Sequence, residues 1–132
     1  MIKTKKEIIT KIHLIISVLV VSSASIVYGF YPNSLVELFP TTIDALNFNK
    51  AIMGLYLGFS MLWVLGIFKV SYLKAALISN FVFMLGLAFG RLVSISVDGI
   101  PSSAYVFGTF GELILGFYGL YIFNRCFLAK EE

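Results

Sequence analysis

The chain has 132 residues, of which 59% are hydrophobic and only 13% are charged, and its mean hydropathy is +0.95. A soluble domain of this length has too little interior to bury so much apolar surface, so the composition indicates a protein that is surrounded by lipid. The net charge of +3 does not indicate nucleic-acid binding, because the basic residues lie near the ends of apolar segments rather than along one surface stripe.

Four apolar segments are each long enough to cross about 30 Å of hydrocarbon as a helix that rises about 1.5 Å per residue. The pattern places them near residues 12–31, 48–68, 72–97 and 104–123. The predicted connections contain Pro40 and Asp44, then Lys69–Lys74, then Asp98–Pro101. The sequence therefore predicts an all-α fold, an integral membrane four-helix bundle in which residues 1–132 form a single domain.

The first segment also has features of a cleaved signal peptide. Four lysines within residues 3–11 precede an apolar stretch that contains the small residues 23–25. The apolar stretch continues into the aromatic residues of 28–31, which are typical of a membrane interface. A retained helix is therefore the main prediction, and a signal peptide is the alternative.

Basic residues are distributed unequally between the two ends of the predicted helices. The loops at residues 32–47 and 98–103 contain no lysine or arginine. The end that carries both termini contains Lys3, Lys5, Lys6, Lys11, Lys69, Lys74, Arg125 and Lys130. The positive-inside rule therefore predicts a multi-pass protein with the N and C termini in the cytoplasm.

Three ionisable residues remain inside the predicted helices: Lys50, Arg91 and Glu112. Arg91 lies seven residues before Asp98, and Glu112 lies nine residues after Ser103. Helical rise therefore places both side chains roughly 10–13 Å below the outer edge of the bilayer, and Lys50 lies closer to that edge. Because an isolated charge in hydrocarbon costs several kcal/mol, we expect Arg91 to pair with Glu112, with Lys50 and Asp98 nearby.

Helical phase gives each segment one face that suits the interior of a bundle, and small residues mark where helix backbones approach closely. The predicted inward faces are Ser22, Ser25 and Gly29; Lys50, Gly54, Leu57 and Met61; Asn80, Met84, Arg91 and Asp98, with Ser94 beside them; and Gly108, Glu112, Gly116 and Gly119, with Tyr105 at the outer end.

Each of these polar residues also has a structural interpretation. Arg91 and Glu112 can form an ion pair that only stabilises the fold, and Lys50 can extend to the outer headgroups. Asp98 precedes a glycine and is typical of a turn. Glu112 is too deep to reach the headgroups, so it is paired, protonated or functional. We expect His13 to be solvated at the inner interface.

The sequence contains no recognisable catalytic, cofactor or metal motif. One cysteine, Cys126, and one histidine provide neither a disulfide nor a metal site. No serine–histidine pair, phosphate-binding glycine loop or haem histidine pair is evident. We therefore expect no enzymatic activity, no cofactor and no bound metal.

Two segments and one acidic residue carry a family resemblance. Residues 49–58 read NKAIMGLYLG, and residues 84–94 read MLGLAFGRLVS, followed by DGIP at 98–101. These segments resemble the second-helix and third-helix motifs of a small membrane protein family catalogued as domain of unknown function 4345. Glu112 matches an acidic position on the fourth helix of that family.

The resemblance covers roughly residues 28–123 and implies four helices in a bacterial inner (cytoplasmic) membrane, but it supplies no activity. Lys50 departs from the arginine expected at that position, so a two-pronged contact with a ligand is lost there. The chain also has a distant similarity to the four-helix DoxX-like membrane proteins.

Two functions of different classes fit these observations. The first is the binding or transport of a small anionic or amphiphilic ligand, such as a lipid headgroup, in a pocket open to the outer side. Two cations facing one deep carboxylate leave a surplus positive charge, which either Asp98 or an anionic ligand can balance. The residues of the predicted pocket are Lys50, Arg91, Ser94, Asp98, Tyr105 and Glu112.

The second function is that of an accessory or scaffold subunit in a larger inner-membrane complex, or of a homodimer. Such a subunit docks through lipid-facing aromatic residues, which we expect to be Phe59, Trp63, Phe81, Phe117 and Tyr118. Membrane lipid is the expected partner in both cases, and nucleic acid is not.

Overall fold

The computed structural model describes residues 4–32 and 42–129, and it contains four long α-helices within these residues. They are α1 (Lys5–Phe30), α2 (Ile43–Phe68), α3 (Val70–Asp98) and α4 (Ser103–Phe123), and a π-helical turn, Asn124–Leu128, continues α4. All four helices are long and apolar enough to cross a membrane. The predicted all-α, four-helix membrane fold is confirmed.

Consecutive helices run antiparallel, and each packs on the next. We call the end that carries Lys5, the α2–α3 turn and the π-helical turn the terminal end of the bundle. The opposite end, which carries Phe30, Ile43 and the α3–α4 connection, is the loop end. This alternation brings the C-terminal part of α1 beside the N-terminal part of α2 and the C-terminal part of α3.

Capping side chains set the first residues of α1 and α2, and both helices begin earlier than their apolar segments. The Thr4 hydroxyl oxygen accepts a hydrogen bond from the Glu7 backbone N–H at 3.4 Å, and the Thr42 hydroxyl oxygen accepts one from the Ala45 N–H at 3.1 Å. Asp44, which the sequence analysis assigns to a loop, therefore lies in the first turn of α2. Hydropathy marks the apolar part of a helix, whereas the cap marks its beginning.

The α2–α3 turn is shorter than predicted. Lys69 alone separates the two helices in an extended conformation, and its N–H donates to the Leu65 carbonyl at 2.8 Å. The rest of the predicted turn, up to Lys74, is helical. At the other end of α3, Gly99 has a φ of +106°, a value that favours glycine, and it ends the helix directly after Asp98.

The predicted inward face of α2 is wrong. Lys50, Gly54, Leu57 and Met61 are all exposed. The buried face consists of Tyr56, Ser60, Trp63 and Gly66. Because α2 is apolar around its whole circumference, hydropathy does not select a face, and the larger aromatic side chains fill the centre of the bundle instead.

Trp63 is the centre of this aromatic core and is fully buried. Its indole N–H donates to the Ser79 hydroxyl at 3.1 Å, and its ring lies 5.4 Å from that of Phe83. The centroid of the Tyr56 ring lies 5.1 Å from that of Phe83, so Tyr56 packs in the same cluster. Trp63 therefore does not belong to a lipid-facing docking surface, because its polar N–H finds its partner inside the bundle.

His13 is buried rather than solvated, with 1% of its surface exposed. Its Nε2 atom lies 2.9 Å from the Asn80 Oδ1 atom, which joins α1 to α3. A Cβ atom added to Gly119 would lie 2.9 Å from the same Nε2, so α4 also packs closely on the imidazole. The prediction failed because α1 begins at Lys5, which places His13 two turns inside the helix.

Candidate ligand-binding site

Close packing of α3 on α4 brings Arg91 and Glu112 together. One turn from Glu112, a Cβ atom added to Gly116 would lie 2.7 Å from the Leu85 Cγ atom and 3.2 Å from the Leu85 backbone nitrogen, so the glycine favours this close approach. The Arg91 Nε–H donates to both carboxylate oxygens of Glu112, at 3.0 and 2.9 Å. The two side chains are 21% and 13% exposed, so the pair is largely shielded.

Two tyrosines complete the surroundings of Arg91. The Nη2 of Arg91 donates to the Tyr28 hydroxyl at 3.1 Å. Its guanidinium carbon lies 5.3 Å from the centroid of the Tyr105 ring, within the range of a cation–π contact. We refer to Tyr28, Arg91, Tyr105 and Glu112 as the charged cluster. It joins α1, α3 and α4 through one guanidinium group.

A cavity of about 500 Å³, which we call the main cavity, lies beside the charged cluster between α1 and α4. Its lining is mostly apolar, with the charged cluster contributing the polar groups, and its volume is within the usual range of small-molecule sites. The apolar lining includes Val20, Val27, Met84, Leu87, Phe107 and Leu115. The glycines at 108 and 111 widen it on the α4 side.

A second cavity of about 440 Å³ lies on the α2 side of Arg91. Tyr28, Tyr56, Arg91 and Tyr105 contribute to both cavities, so the charged cluster forms part of the wall between them. The second cavity also contains Ser94 in its lining.

The structure separates Lys50 from the charged cluster. Lys50 is exposed at the loop end of α2, and its Nζ lies 5.9 Å from the centroid of the Phe30 ring. It lines neither of the two cavities. The burial of Tyr56 on α2 determines this position, because the two residues point in different directions around the helix.

Asp98 also lies away from the charged cluster. It is exposed at the last position of α3 and accepts a hydrogen bond from the Ser94 hydroxyl at 2.9 Å. Helical phase correctly places Ser94 and Asp98 near the azimuth of Arg91, but the end of α3 extends beyond the packed part of the bundle. The sequence predicts that Lys50 and Asp98 lie near Arg91, and the structure places neither of them there.

The sequence analysis missed Tyr28, which it interprets as an interfacial aromatic residue. A signal was present, because Ser17, Val21 and Tyr28 recur at spacings of four and seven and therefore share one helix face. Ser17 and Val21 are both buried in the bundle. The predicted pocket also does not include Tyr56, yet Tyr56 lines both cavities.

The charged cluster combines hydrogen-bond donors and an acceptor with an adjoining apolar cavity. Within residues 4–32 and 42–129, no group of three or more histidine, cysteine, aspartate or glutamate side chains is placed to hold a metal ion. The charged cluster instead offers guanidinium and phenolic donors and a carboxylate acceptor at the end of an apolar cavity. Such a combination suits a molecule that has a polar end and an apolar end.

Four helices of membrane-spanning length around a shielded charged cluster define a multi-pass membrane protein. The chain belongs to the family described as Domain of unknown function (DUF4345), whose model matches residues 9–123. The match includes both sequence motifs and Glu112, so the resemblance to this family is confirmed, while the similarity to DoxX-like proteins stays a prediction. No curated protein and no solved structure matches the chain.

Proposed function

We propose that this protein binds a small amphiphilic ligand in the main cavity, and that the charged cluster holds the polar end of the ligand. We further propose that it does so in a bacterial inner membrane, with both termini in the cytoplasm. The observation that carries the proposal is a cavity of about 500 Å³ whose apolar lining leads to Arg91 and Glu112. The orientation rests on the uneven distribution of basic residues.

The shape of the main cavity supports a ligand with a hydrocarbon part. Its lining includes Val20 on α1 and Phe107 on α4, both of which are exposed on the outside of the bundle. The cavity is therefore open sideways, between the two helices, to whatever surrounds them. In a membrane that surrounding is lipid, so an amphiphile reaches the cavity from the bilayer without leaving hydrocarbon.

The proposed accessory-subunit role stays a prediction. Of the aromatic residues expected on its docking surface, Trp63 is fully buried and Phe59 and Phe81 are half-buried. Phe117 and Tyr118 are exposed, but lipid covers such residues as well as a protein partner does. Ligand binding in the main cavity is the function that the geometry favours.

Filling the main cavity tests the proposal. Gly108 lines the cavity, and a Cβ atom added there meets no atom within 4 Å, so there is room at this point for the start of the larger Gly108→Phe side chain. The probes are two long-chain compounds of equal chain length, a methyl ketone and an alkyl sulfonate, each with a photoreactive diazirine in the chain. The protein is labelled in lipid nanodiscs, and mass spectrometry maps the labelled residues.

At least one probe should label residues 104–115 in the wild type, and Gly108→Phe should reduce that labelling at least tenfold, which corresponds to about 1.4 kcal/mol of binding free energy. Gly58→Phe is the matched control, because Gly58 has no atom within 4 Å of an added Cβ and lines neither cavity. Gly111→Leu provides a second cavity-filling variant if Gly108→Phe does not fold. Equal labelling in the Gly108→Phe and Gly58→Phe proteins would overturn the proposal.

A further inference from the structure

The charge of the main cavity is balanced by the protein itself. Arg91 and Glu112 are the ionisable residues of opposite charge that line it, and they are already joined by an ion pair of 2.9 Å. An anionic ligand at Arg91 would compete with the carboxylate for the same guanidinium and would leave one negative charge uncompensated. In a shielded environment an uncompensated charge costs several kcal/mol.

The surplus positive charge that the sequence analysis expects is absent from the main cavity. That surplus depended on Lys50 facing the same space as Arg91. Lys50 is exposed over the Phe30 ring and does not line the cavity. The physical reason to expect an anionic ligand therefore disappears, although the reason to expect a polar end remains.

Hydrogen-bond donors remain available beside the ion pair. The Nη1 group of Arg91 and the Tyr56 hydroxyl have no hydrogen-bond partner among the described residues. The Tyr28 hydroxyl oxygen accepts from Arg91 and keeps its own proton for donation. All three residues line the main cavity, and they also line the second cavity. The charged end of the main cavity therefore has donors nearby that suit an uncharged oxygen that accepts hydrogen bonds.

We infer that the ligand is an uncharged amphiphile, with a carbonyl, ester or ether oxygen at its polar end and a hydrocarbon chain between α1 and α4. This inference rests on the proposed function and specifies the class of ligand for the same cavity. The oxygen accepts from Arg91 and the tyrosine hydroxyls, and the Arg91–Glu112 pair stays intact while the ligand is bound.

The charge of the ligand is tested by comparing the methyl ketone probe with the alkyl sulfonate probe. In the wild type, the ketone should label residues 104–115 at least tenfold more than the sulfonate, a ratio equivalent to about 1.4 kcal/mol. Glu112→Gln removes the carboxylate with little change in size, leaves Arg91 unpaired and should reverse this preference. Asp98→Asn is the matched control, because it removes the same charge at an exposed residue outside both cavities and should leave the preference unchanged.

The possible results separate this inference from the proposed function. If the sulfonate labels the wild type as strongly as the ketone and Gly108→Phe blocks both, the cavity does not prefer an uncharged ligand. In that case only the inference fails, and the proposed function stands. If neither probe labels the cavity, both fail. A ketone preference that survives Glu112→Gln also overturns the inference.

If Glu112→Gln does not fold, Arg91→Gln gives the converse test. Glu112 is then unpaired, so a trimethylammonium probe of the same chain length should label Arg91→Gln at least tenfold more than the wild type.

Discussion

Arg91 makes three different contacts through one planar group: an ion pair with Glu112, a hydrogen bond to Tyr28 and a cation–π contact with Tyr105. A lysine could not make all three, because its ammonium is a compact charge without a planar fork. Lys50 has no corresponding network, because the burial of Tyr56 turns it away from the charged cluster, and it lies exposed beside Phe30. The rotation of the helix, as well as the depth and identity of the cation, therefore decides which charge joins the site.

The His13–Asn80 hydrogen bond gives a prediction at the scale of single residues. His13→Leu and Asn80→Leu should each lower the free energy of unfolding by roughly 1–3 kcal/mol, because each leaves a buried polar group without its partner. The double variant should lose less than the sum of the two, with a coupling of about 1 kcal/mol, as is typical of hydrogen bonds between membrane helices. Equilibrium unfolding in mixed detergent micelles measures the free energy of unfolding of the wild type, the two single variants and the double variant. Strictly additive losses would contradict the interaction.

The sequence predicted the contact between Arg91 and Glu112 but misplaced the other charged residues of the predicted pocket. Arg91 and Glu112 were identified from depth and helical phase on adjacent helices, and the structure brings them into contact. Asp98 shares the azimuth of Arg91 but bonds to Ser94, because a short aspartate side chain at a helix end finds a partner within its own helix. Periodicity gives direction around a helix, but it does not give the reach of a side chain.

The glycines of α2 look alike in the sequence, but they differ in whether they pack against a neighbouring helix. Gly66 on α2 faces Ala76 on α3 so closely that an added Cβ would collide with the Ala76 Cβ. Gly54 and Gly58, which form the more conspicuous small-residue pair in the sequence, have no atom within 4 Å of an added Cβ. Only the first of these glycines contributes to helix packing within the described bundle.

Alanine substitution on α2 distinguishes the two kinds of glycine. Gly66→Ala should lower the free energy of unfolding by about 1–3 kcal/mol, the usual cost of overpacking, because Ala76 is fully buried and cannot move aside. Gly58→Ala should be neutral or stabilising by up to about 1 kcal/mol, since alanine favours a helix more than glycine does. Thermal unfolding in one detergent compares the two variants, and a Gly66→Ala protein as stable as the Gly58→Ala protein would show that α2 and α3 are not packed closely at this point.

The faces of the helices were predictable to different degrees. On α1 and α4, small residues that share one helix face correctly indicated that Ser25, Gly29, Gly116 and Gly119 are buried. On α2 the same rule failed, because nearly every residue is apolar and Tyr56 and Trp63 compete for the interior. Filling the centre of the bundle with large rings stabilises it more than bringing small residues together, and only the packed structure reveals that preference.

The orientation of the whole molecule in the membrane yields the last prediction. Cys126 is the only cysteine in the sequence and lies at the terminal end, which we propose to be cytoplasmic. A membrane-impermeant maleimide added to intact cells should therefore not label the wild type. It should label a Ser102→Cys variant in a Cys126→Ser background, because Ser102 is exposed in the connection at the loop end. Labelling of the wild type in intact cells, together with labelling of the Ser102→Cys variant only after permeabilisation, would reverse the proposed orientation.

The main cavity is a property of the whole bundle. At the terminal end, α1 and α4 meet where His13 packs against Gly119 and where Lys6 donates a hydrogen bond to the Arg125 carbonyl. Towards the loop end, small residues of α4 such as Gly108 face the valines of α1 across an open space. A cavity of this kind depends on how far two helices diverge, which no single segment of the sequence specifies.

The sequence by itself determined that this is a four-helix membrane protein of its family and that Arg91 and Glu112 are its distinctive charges. Segment length, hydropathy and local motifs are properties of consecutive residues, so they can be read without the fold. Only the tertiary structure decided that Lys50 and Asp98 lie outside the site, that Tyr28 belongs to it, and that the ion pair adjoins an apolar cavity. These outcomes depend on how the helices rotate and diverge. Side chains from distant parts of the chain compete for the same interior space, and that competition sets the rotation and the divergence.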